Sequence, residues 1–518
     1  MRRPKKSSRA NGTRMSRVSV QGPEIFVGLV GAVGADLDGL TKAIEKALKE
    51  INYQSAVIRL SELLQAFPRW KNLTQVPENE RILDHMRAGT DFRTILARGD
   101  ALAAYGITAV RSNRKSLTGN VQQPAQRQAY IFRSLKHPHE VAFLRRIYGK
   151  KFVLVAAYLP REQRLQNLAQ RIADSKGSIR ADDFIDSARA LNKIDEEETG
   201  NSLGQNVRET FPLADVFIDG SDPEDLVHSV RRFVELWFGH PFHTPSKIEY
   251  GMFFAKAAAV RSAALPRQVG AAITTAVGDV VATGTNEVPK FNGGLYWPDD
   301  PHDKRDYHLG YDVSDRMKQQ SLSEVLDRLR ENGWLTEEKA ALDQKSRVQS
   351  ASMIMRGTQL MKSIEFSRAV HAEVAAILSA GLNGVSVKCC TLFTTTFPCH
   401  DCARHIVAAG IRSVVYIEPY PKSLASEFHQ DSITVDQSPE LADRLNFKPF
   451  VGIAPTRYLE LFDIGSVERK KGDGTITNWD ELKSVSLPKL TDLPPIYLIE
   501  ETATLSRIEK ECKRKGLL

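Results

Sequence analysis

The chain has 518 residues, of which 42% are hydrophobic and 26% are charged. It is too long for a single hydrophobic core, so two or more domains are expected. No run approaches the roughly 20 consecutive apolar residues that a membrane-spanning helix needs, which argues against an integral membrane protein. Much of the net charge of +8 comes from the first few residues, so it gives little support to nucleic-acid binding.

Residues 1–22 are predicted to be a basic, disordered tail, because they lack the apolar stretch of a secretory signal. The five cysteines do not make a disulfide framework. A reducing, cytoplasmic location is therefore expected.

The first buried-strand pattern, residues 24–30, runs into a glycine-rich turn and then an amphipathic helix. Such a setting is typical of a phosphate-binding loop, and Gly28, Gly31 and Gly34 are its candidate residues. The usual motif has Lys and then Ser or Thr after its second glycine, but Ala35 and Asp36 follow Gly34. Two interpretations stay open, a degenerate nucleotide pocket and a glycine turn that only packs an α/β domain.

Strand and helix patterns then alternate, which favours a mostly parallel sheet covered by helices. A closing helix is predicted over 226–238. The segment 239–245 contains two prolines and is the predicted domain boundary, with His240 and His243 as linker residues.

The second half begins with a helix and a hairpin that turns over residues 277–279. Asn286 ends the second strand, where it is either a substrate-contacting amide or a turn asparagine. A helical insertion is predicted over about 290–362. Further on, Lys422 follows a strand and is either a phosphate contact or a solvated lysine.

Two short runs carry the chemistry, His371-Ala372-Glu373 and Pro398-Cys399-His400-Asp401-Cys402. One imidazole and two thiolates at C-x-x-C spacing provide three zinc ligands and leave the fourth position open, as catalytic zinc requires. Glu373 is placed to act as an acid/base beside the metal. H-x-E…P-C-x-x-C is typical of zinc nucleobase deaminases. The alternative is a closed structural zinc site with His400 or His405 as the fourth ligand.

Residues from about 250 to 424 resemble the cytidine/deoxycytidylate deaminase family. The resemblance depends on both zinc motifs, on Arg267-Gln268-Val269-Gly270-Ala271 and on Thr285-Asn286. The whole chain is similar to the anti-phage dCTP deaminases, which join a P-loop kinase-like domain to such a deaminase. The segments Tyr130–Pro138, Gly293–Trp297 and Ile417–Ser423 carry that wider similarity.

The resemblance implies an α/β fold in which a P-loop NTPase-like, mostly parallel sheet is followed by an α/β/α cytidine-deaminase-like domain. The expected boundaries are 23–239 for the first domain, 245–470 for the second and 471–518 for a C-terminal extension. Conversion of dCTP and dCMP to dUTP and dUMP is implied, with Zn²⁺ as cofactor and depletion of dCTP as a defence against phage.

The resemblance also implies that Asn286 contacts the sugar, with Arg267 as a further substrate contact. A homo-oligomer is expected, and the first domain is the expected regulator, with a nucleotide effector. Three rival functions stay open: a polynucleotide deaminase, a purine or pterin deaminase and a non-catalytic nucleotide sensor.

Overall fold

The computed structural model describes residues 21–420, 423–436, 443–465, 467–489 and 495–518. The predicted tail lies almost entirely outside these residues. The strands are β1 (Ile25–Gly31), β2 (Gln54–Arg59), β3 (Gln128–Arg133), β4 (Phe152–Tyr158), β5 (Val216–Asp219), β6 (Gly270–Thr274), β7 (Val280–Thr285), β8 (Thr391–Thr396), β9 (Ser413–Glu418), β10 (Ile433–Val435), β11 (Leu445–Pro449) and β12 (Gly452–Ile453).

The helices of the first half are α1 (Leu37–Glu50), α2 (Glu78–Ile95), α3 (Ala101–Thr118), α4 (Pro138–Tyr148), α5 (Arg161–Ser175), α6 (Ile185–Glu196), α7 (Val207–Thr210) and α8 (Pro223–Trp237). Those of the second half are α9 (Lys247–Val260), α10 (Val313–Glu331), α11 (Glu337–Ala340), α12 (Gln344–Ile354), α13 (Gln359–Lys362), α14 (Ala372–Leu382), α15 (His400–Ala408), α16 (Ala425–Phe428), α17 (Tyr458–Phe462), α18 (Trp479–Leu482) and α19 (Tyr497–Arg514). None of the helices in the described ranges is both long and apolar enough to cross a membrane.

The first sheet has the strand order β12-β5-β4-β1-β3-β2, and β1 to β5 all run parallel. All seven residues of β1 are buried, as expected of a central strand covered by helices on both faces. The helix α1 begins after Asp36, whose carboxylate accepts a hydrogen bond from the Gly39 amide. The alternation of strands and helices thus places the glycine-rich turn at the carboxyl edge of the sheet.

The second sheet has the order β10-β11-β9-β8-β6-β7. The predicted hairpin is formed by β6 and β7, which are antiparallel, whereas β8, β9, β11 and β10 run parallel to one another. The helix α14 packs on β7, and Gly284 permits this contact. A Cβ atom at Gly284 would lie 2.2 Å from the Ala372 carbonyl oxygen and 2.3 Å from the Ala376 nitrogen. Both sheets are rich in parallel pairs, so the fold is mixed α/β.

The end of the chain returns to the first sheet. The short strand β12 pairs antiparallel with β5, and α19 packs against α3 and α4. The predicted boundary at residue 470 therefore does not coincide with this return, which begins near residue 452. The reason is that β5 has an edge that an additional strand can pair with.

Candidate zinc and deaminase site

The two motifs meet at the ends of two helices. His371 is the residue before α14, and Cys399 is the residue before α15. The strand β8 ends at Thr396 and leads directly into the C-x-x-C turn. This arrangement brings together residues that are about thirty positions apart in the chain.

The three predicted ligands converge on one point. The His371 Nδ1 atom lies 3.3 Å from the Sγ atom of Cys399 and 3.3 Å from that of Cys402. Ligands of a tetrahedral zinc ion are about 3.5 Å apart when one is nitrogen and the other sulfur, given the usual bond lengths. Two thiols and one imidazole at this separation therefore fit zinc in both chemistry and size.

The set has an open fourth position. Among the described residues, the group of side chains close enough to share the ion consists of His371, Cys399 and Cys402. His400 and His405 are not part of that group, so they do not complete a closed structural site. Three protein ligands and one open position are typical of catalytic zinc.

Glu373 lies beside the ligands and is only 4% exposed. The Cys402 thiol donates a hydrogen bond to its Oε2 atom at 3.4 Å, and the Thr394 hydroxyl donates to Oε1 at 3.5 Å. Burial raises the pKa of Glu373 above its ordinary value. A raised carboxyl pKa suits a group that must both accept and deliver a proton near neutral pH.

The site opens into a cavity of about 400 Å³ that reaches beyond the motifs. Its walls include His371, Glu373, Cys399 and Phe397 on one side. Residues of the predicted insertion also line the cavity, among them Asp306, Asp312, Lys318 and Lys362. These wall residues were not predicted as site residues, because nothing in their local sequence shows that the insertion folds back over the zinc motif.

Asn286 and Arg267 both line this cavity. The Asn286 side chain accepts a hydrogen bond from the Val269 amide at 2.7 Å and donates one to the Arg267 carbonyl at 2.9 Å. Asn286 thus fixes the segment that carries Arg267, and each of its polar groups keeps one further bonding position. The Arg267 guanidinium lies 5.1 Å from the Tyr420 ring centre and 3.5 Å from the Glu418 carboxylate. Substrate contact by either residue stays a prediction, and Lys422 lies outside the described residues.

The predicted linker brings a second group of metal-ligand types together, Glu235, His240 and His243. The His243 Nε2 atom lies 2.7 Å from the Glu235 carboxylate, and the Phe242 amide donates to His240 Nδ1. Both imidazoles have protein partners, and the linker role of this segment stays a prediction.

The candidate phosphate-binding loop offers weaker support for a ligand site than the zinc motif does. Gly31 and Gly34 line a separate cavity, whereas Gly28 lies within β1. The Val33 amide of the loop donates to the carboxylate of Asp195, which is fully buried and also binds the Lys136 ammonium at 2.8 Å. Part of the loop therefore holds a carboxylate from the chain itself.

Comparison with known proteins identifies a family whose model matches part of this chain. Residues 245–418 match the family model of the cytidine and deoxycytidylate deaminase zinc-binding region. The deoxycytidylate deaminase of Enterobacteria phage T2 is 46% identical over 54 residues, which cover 10% of this chain and 29% of the phage protein. ComE operon protein 2 of Bacillus subtilis (strain 168) is 36% identical over 83 residues, covering 15% of this chain and 42% of that protein.

A solved structure of dCMP deaminase from cyanophage S-TIM5 aligns with 40% of this chain and 99% of its own, at 16% identity and a TM-score of 0.22. That score is too low to support an argument about the fold. The chain spans less than half of the length of the two curated relatives named above.

The chain therefore contains a zinc-binding region of the hydrolytic deaminase class. The prediction of zinc as the cofactor is confirmed, with His371, Cys399 and Cys402 as candidate ligands.

Proposed function

We propose that this protein is a zinc-dependent hydrolytic deaminase that converts deoxycytidine nucleotides to deoxyuridine nucleotides and ammonia. One observation carries the proposal: a buried carboxylate, Glu373, lies against three zinc-type ligands whose fourth position opens into a cavity. The relatives named as deoxycytidylate deaminases support this choice of substrate class.

In the proposed reaction, water replaces the 4-amino group of cytosine by a carbonyl oxygen. Zinc, when bound, supplies the Lewis acidity that makes water a nucleophile near neutral pH. Glu373 takes a proton from the attacking water and delivers it to the ring nitrogen N3. A second proton then passes through Glu373 to the amino group, which leaves as ammonia, so that the overall balance is one water consumed for each ammonia released.

The cavity walls carry charges of both signs. Four cationic side chains line the cavity, Arg267, Lys318, Lys362 and Arg368, together with the aspartates Asp306, Asp312 and Asp315. Arg368 is paired with Asp306 at 2.7 Å, Lys318 lies 3.8 Å from Asp315, and Arg267 lies 3.5 Å from Glu418. The choice of a phosphorylated substrate is therefore supported by the relatives named as deoxycytidylate deaminases, and not by an excess of positive charge in the walls.

The decisive experiment offers the purified chain dCTP, dCMP, deoxycytidine and a cytosine-containing single-stranded oligonucleotide, each separately. Chromatography then measures the uracil products. We expect conversion of dCTP, dCMP or both, and slow or no conversion of the nucleoside. Conversion of the oligonucleotide alone would instead assign the chain to the polynucleotide deaminases, and no conversion by zinc-loaded protein would favour the nucleotide sensor.

We further propose that this activity lowers the dCTP pool as a defence against phage, and that the first domain regulates it. The segments Tyr130–Pro138, Gly293–Trp297 and Ile417–Ser423, which resemble the anti-phage dCTP deaminases, support this role. The test compares dCTP pools in infected cells that express the parent chain or Glu373→Ala. A pool that falls equally in both would contradict the proposal.

The proposed homo-oligomer is tested by light scattering of the purified chain.

A further inference from the structure

A second cavity, of about 580 Å³, lies at the carboxyl edge of the first sheet. It is lined by the β1–α1 loop, by the ends of β2 and β3, and by residues of α2, α3 and α5. The strands β3 and β4 lie on opposite sides of β1. The connections that follow β1 and β3 therefore run toward opposite sides of the sheet from this edge. Ligands of open parallel sheets bind at such points.

The inner end of this cavity contains a buried ion pair. Arg93 is fully buried and Glu140 is 1% exposed, and the Arg93 Nη1 and Glu140 Oε1 atoms are 3.7 Å apart, within ion-pair range but beyond hydrogen-bond distance. Within the described part of the chain, neither atom makes a hydrogen bond, and neither does Nε2 of His85, which is 8% exposed. Buried polar groups are nearly always hydrogen-bonded in proteins, so groups that lack hydrogen bonds beside a cavity indicate a ligand that supplies them.

These atoms have the pattern of a nucleobase edge. The Arg93 Nη1 donor and the Glu140 Oε1 acceptor are 3.7 Å apart. The Watson–Crick edge of a nucleobase carries a donor next to an acceptor, and enzymes bind a base through this edge. The other Arg93 and Glu140 atoms fix the pair in place: Arg93 Nε donates to the Leu203 carbonyl, and Glu140 Oε2 accepts from the Lys136 amide.

The outer end contains an anion position. The Asp38 carboxylate is bound there by two guanidinium groups, Arg133 Nη2 at 2.8 Å and Arg59 Nη2 at 3.3 Å. Arg133 holds the pKa of Asp38 at about 2. The Asp38 side chain is 56% exposed, so it can move into solvent and leave both arginines to a phosphate.

We propose that this cavity binds a nucleoside 5′-monophosphate, with the base at Arg93 and Glu140 and the phosphate at Arg59 and Arg133 in place of the Asp38 carboxylate. A monophosphate is favoured over a triphosphate because Asp195 already occupies the Val33 amide of the glycine-rich loop. The ligand is bound and not phosphorylated, since the loop lacks the lysine and hydroxyl residues that phosphoryl transfer needs.

The helix α5 forms part of the cavity wall. Asn167, Gln170 and Arg171 on α5 line the cavity, and Gly34 of the loop packs directly on the Arg164 carbonyl.

Binding is tested by calorimetry on the full chain with dTMP, dUMP, AMP, GMP and inorganic phosphate as separate probes. The variants are Asp38→Asn and Arg93→Met, and the matched control is Asp91→Asn, an exposed aspartate of α2 paired with Arg69. For at least one nucleotide, Asp38→Asn tightens binding about two- to fivefold, because a competing carboxylate is lost. Arg93→Met weakens it about tenfold or more, because a buried charged donor is lost.

Each other result contradicts the binding proposal. If no nucleotide binds, or if Asp38→Asn and Asp91→Asn behave alike, the cavity is not the site. If inorganic phosphate binds as tightly as every nucleotide, the base contacts are wrong. Asp38 is exposed, so its variant remains informative even where Arg93→Met fails to fold. Binding that neither Asp38→Asn nor Arg93→Met changes belongs to the zinc cavity.

Discussion

Glu373 is the residue on which the proposed chemistry depends most. It is nearly buried, and its carboxylate touches the Cys402 thiol at 3.4 Å. Replacement by glutamine keeps the shape but removes the proton carrier, so we expect Glu373→Gln to lower turnover about 10²- to 10⁴-fold. Zinc content is expected to stay at the parent level, as measured by elemental analysis. The matched control, Glu427→Gln at an exposed site, keeps parental turnover. Near-parental turnover of Glu373→Gln would show that another group moves the proton.

Cys399 and Cys389 allow a predicted zinc ligand to be compared with a cysteine outside the ligand set. Cys399 is 5% exposed and lies 3.3 Å from His371 Nδ1, whereas Cys389 is exposed. Because a thiolate ligand is lost, Cys399→Ala is expected to abolish both zinc retention and turnover. Cys389→Ser keeps both. Zinc analysis after dialysis decides the matter, and a full zinc complement in Cys399→Ala would remove this residue from the ligand set.

At the scale of elements, the contact between β7 and α14 determines where Glu373 lies. Gly284 leaves no room for a methyl group next to the Ala372 carbonyl. We expect Gly284→Ala to lower the free energy of unfolding by about 1–3 kcal/mol, the usual cost of overpacking, and to reduce activity by shifting α14. Gly381, in the same helix, has open space around it. Gly381→Ala is expected to stabilise by up to about 1 kcal/mol. Chemical denaturation measures both, and equal effects would contradict the packing argument.

The N-terminus of α5 provides a pH-dependent contact between the two sheets. The carboxylate of Asp436, next to β10, accepts a hydrogen bond from the Arg161 amide, and burial raises its pKa to about 6. The usual value is 3.8, so the folded chain holds this proton more tightly than the unfolded chain. The stability contributed by the proton is present below about pH 4 and is lost as the pH rises to about 6.

Asparagine at position 436 can still accept the Arg161 hydrogen bond but carries no charge. We therefore expect the melting temperature of Asp436→Asn to rise relative to the parent between pH 4 and pH 7. Thermal melts at several pH values measure this difference, with Asp431→Asn at a fully exposed site as the control. A constant difference across this range would show that Asp436 does not titrate there.

At the scale of the whole molecule, features formed by residues close in sequence were predictable, whereas contacts between distant segments were not. The zinc motif was predictable because each pair of residues is close in sequence: His371 with Glu373, and Cys399 with Cys402. The parallel first sheet followed from the alternation of strand and helix patterns. By contrast, the insertion lines the zinc cavity only because it folds back over the zinc motif. No periodicity in the sequence predicts that placement. The same holds for Asp195, which reaches the glycine-rich loop across more than 150 residues.

The end of the chain is a second placement that the sequence did not reveal. Residues 471–518 were expected to be a C-terminal extension, and in the structure one face of α19 is buried against α3 and α4. There Arg114 of α3 forms ion pairs with Glu24 at 2.9 Å and with Glu501 of α19 at 2.6 Å, and all three side chains are fully buried. The Tyr497 hydroxyl also donates to Glu24 at 2.7 Å. The first strand region, α3 and the last helix of the chain therefore meet at one buried cation.

Removing that cation leaves two buried carboxylates without their ion-pair partner, with only hydrogen bonds such as those from Tyr497 and Tyr148. We expect Arg114→Met to lower the free energy of unfolding by about 3–5 kcal/mol, as is typical when one partner of a buried ion pair is lost. Arg111, three residues earlier in α3, contacts Thr502 of the same C-terminal helix at an exposed position. Arg111→Met is expected to cost less than about 1 kcal/mol. Denaturation curves measure both variants, and limited proteolysis is expected to release the C-terminal helix only from Arg114→Met. Equal stability of the two variants would mean that α19 is held by its apolar contacts, and that the network of Glu24, Arg114 and Glu501 contributes little to joining the two ends of the chain.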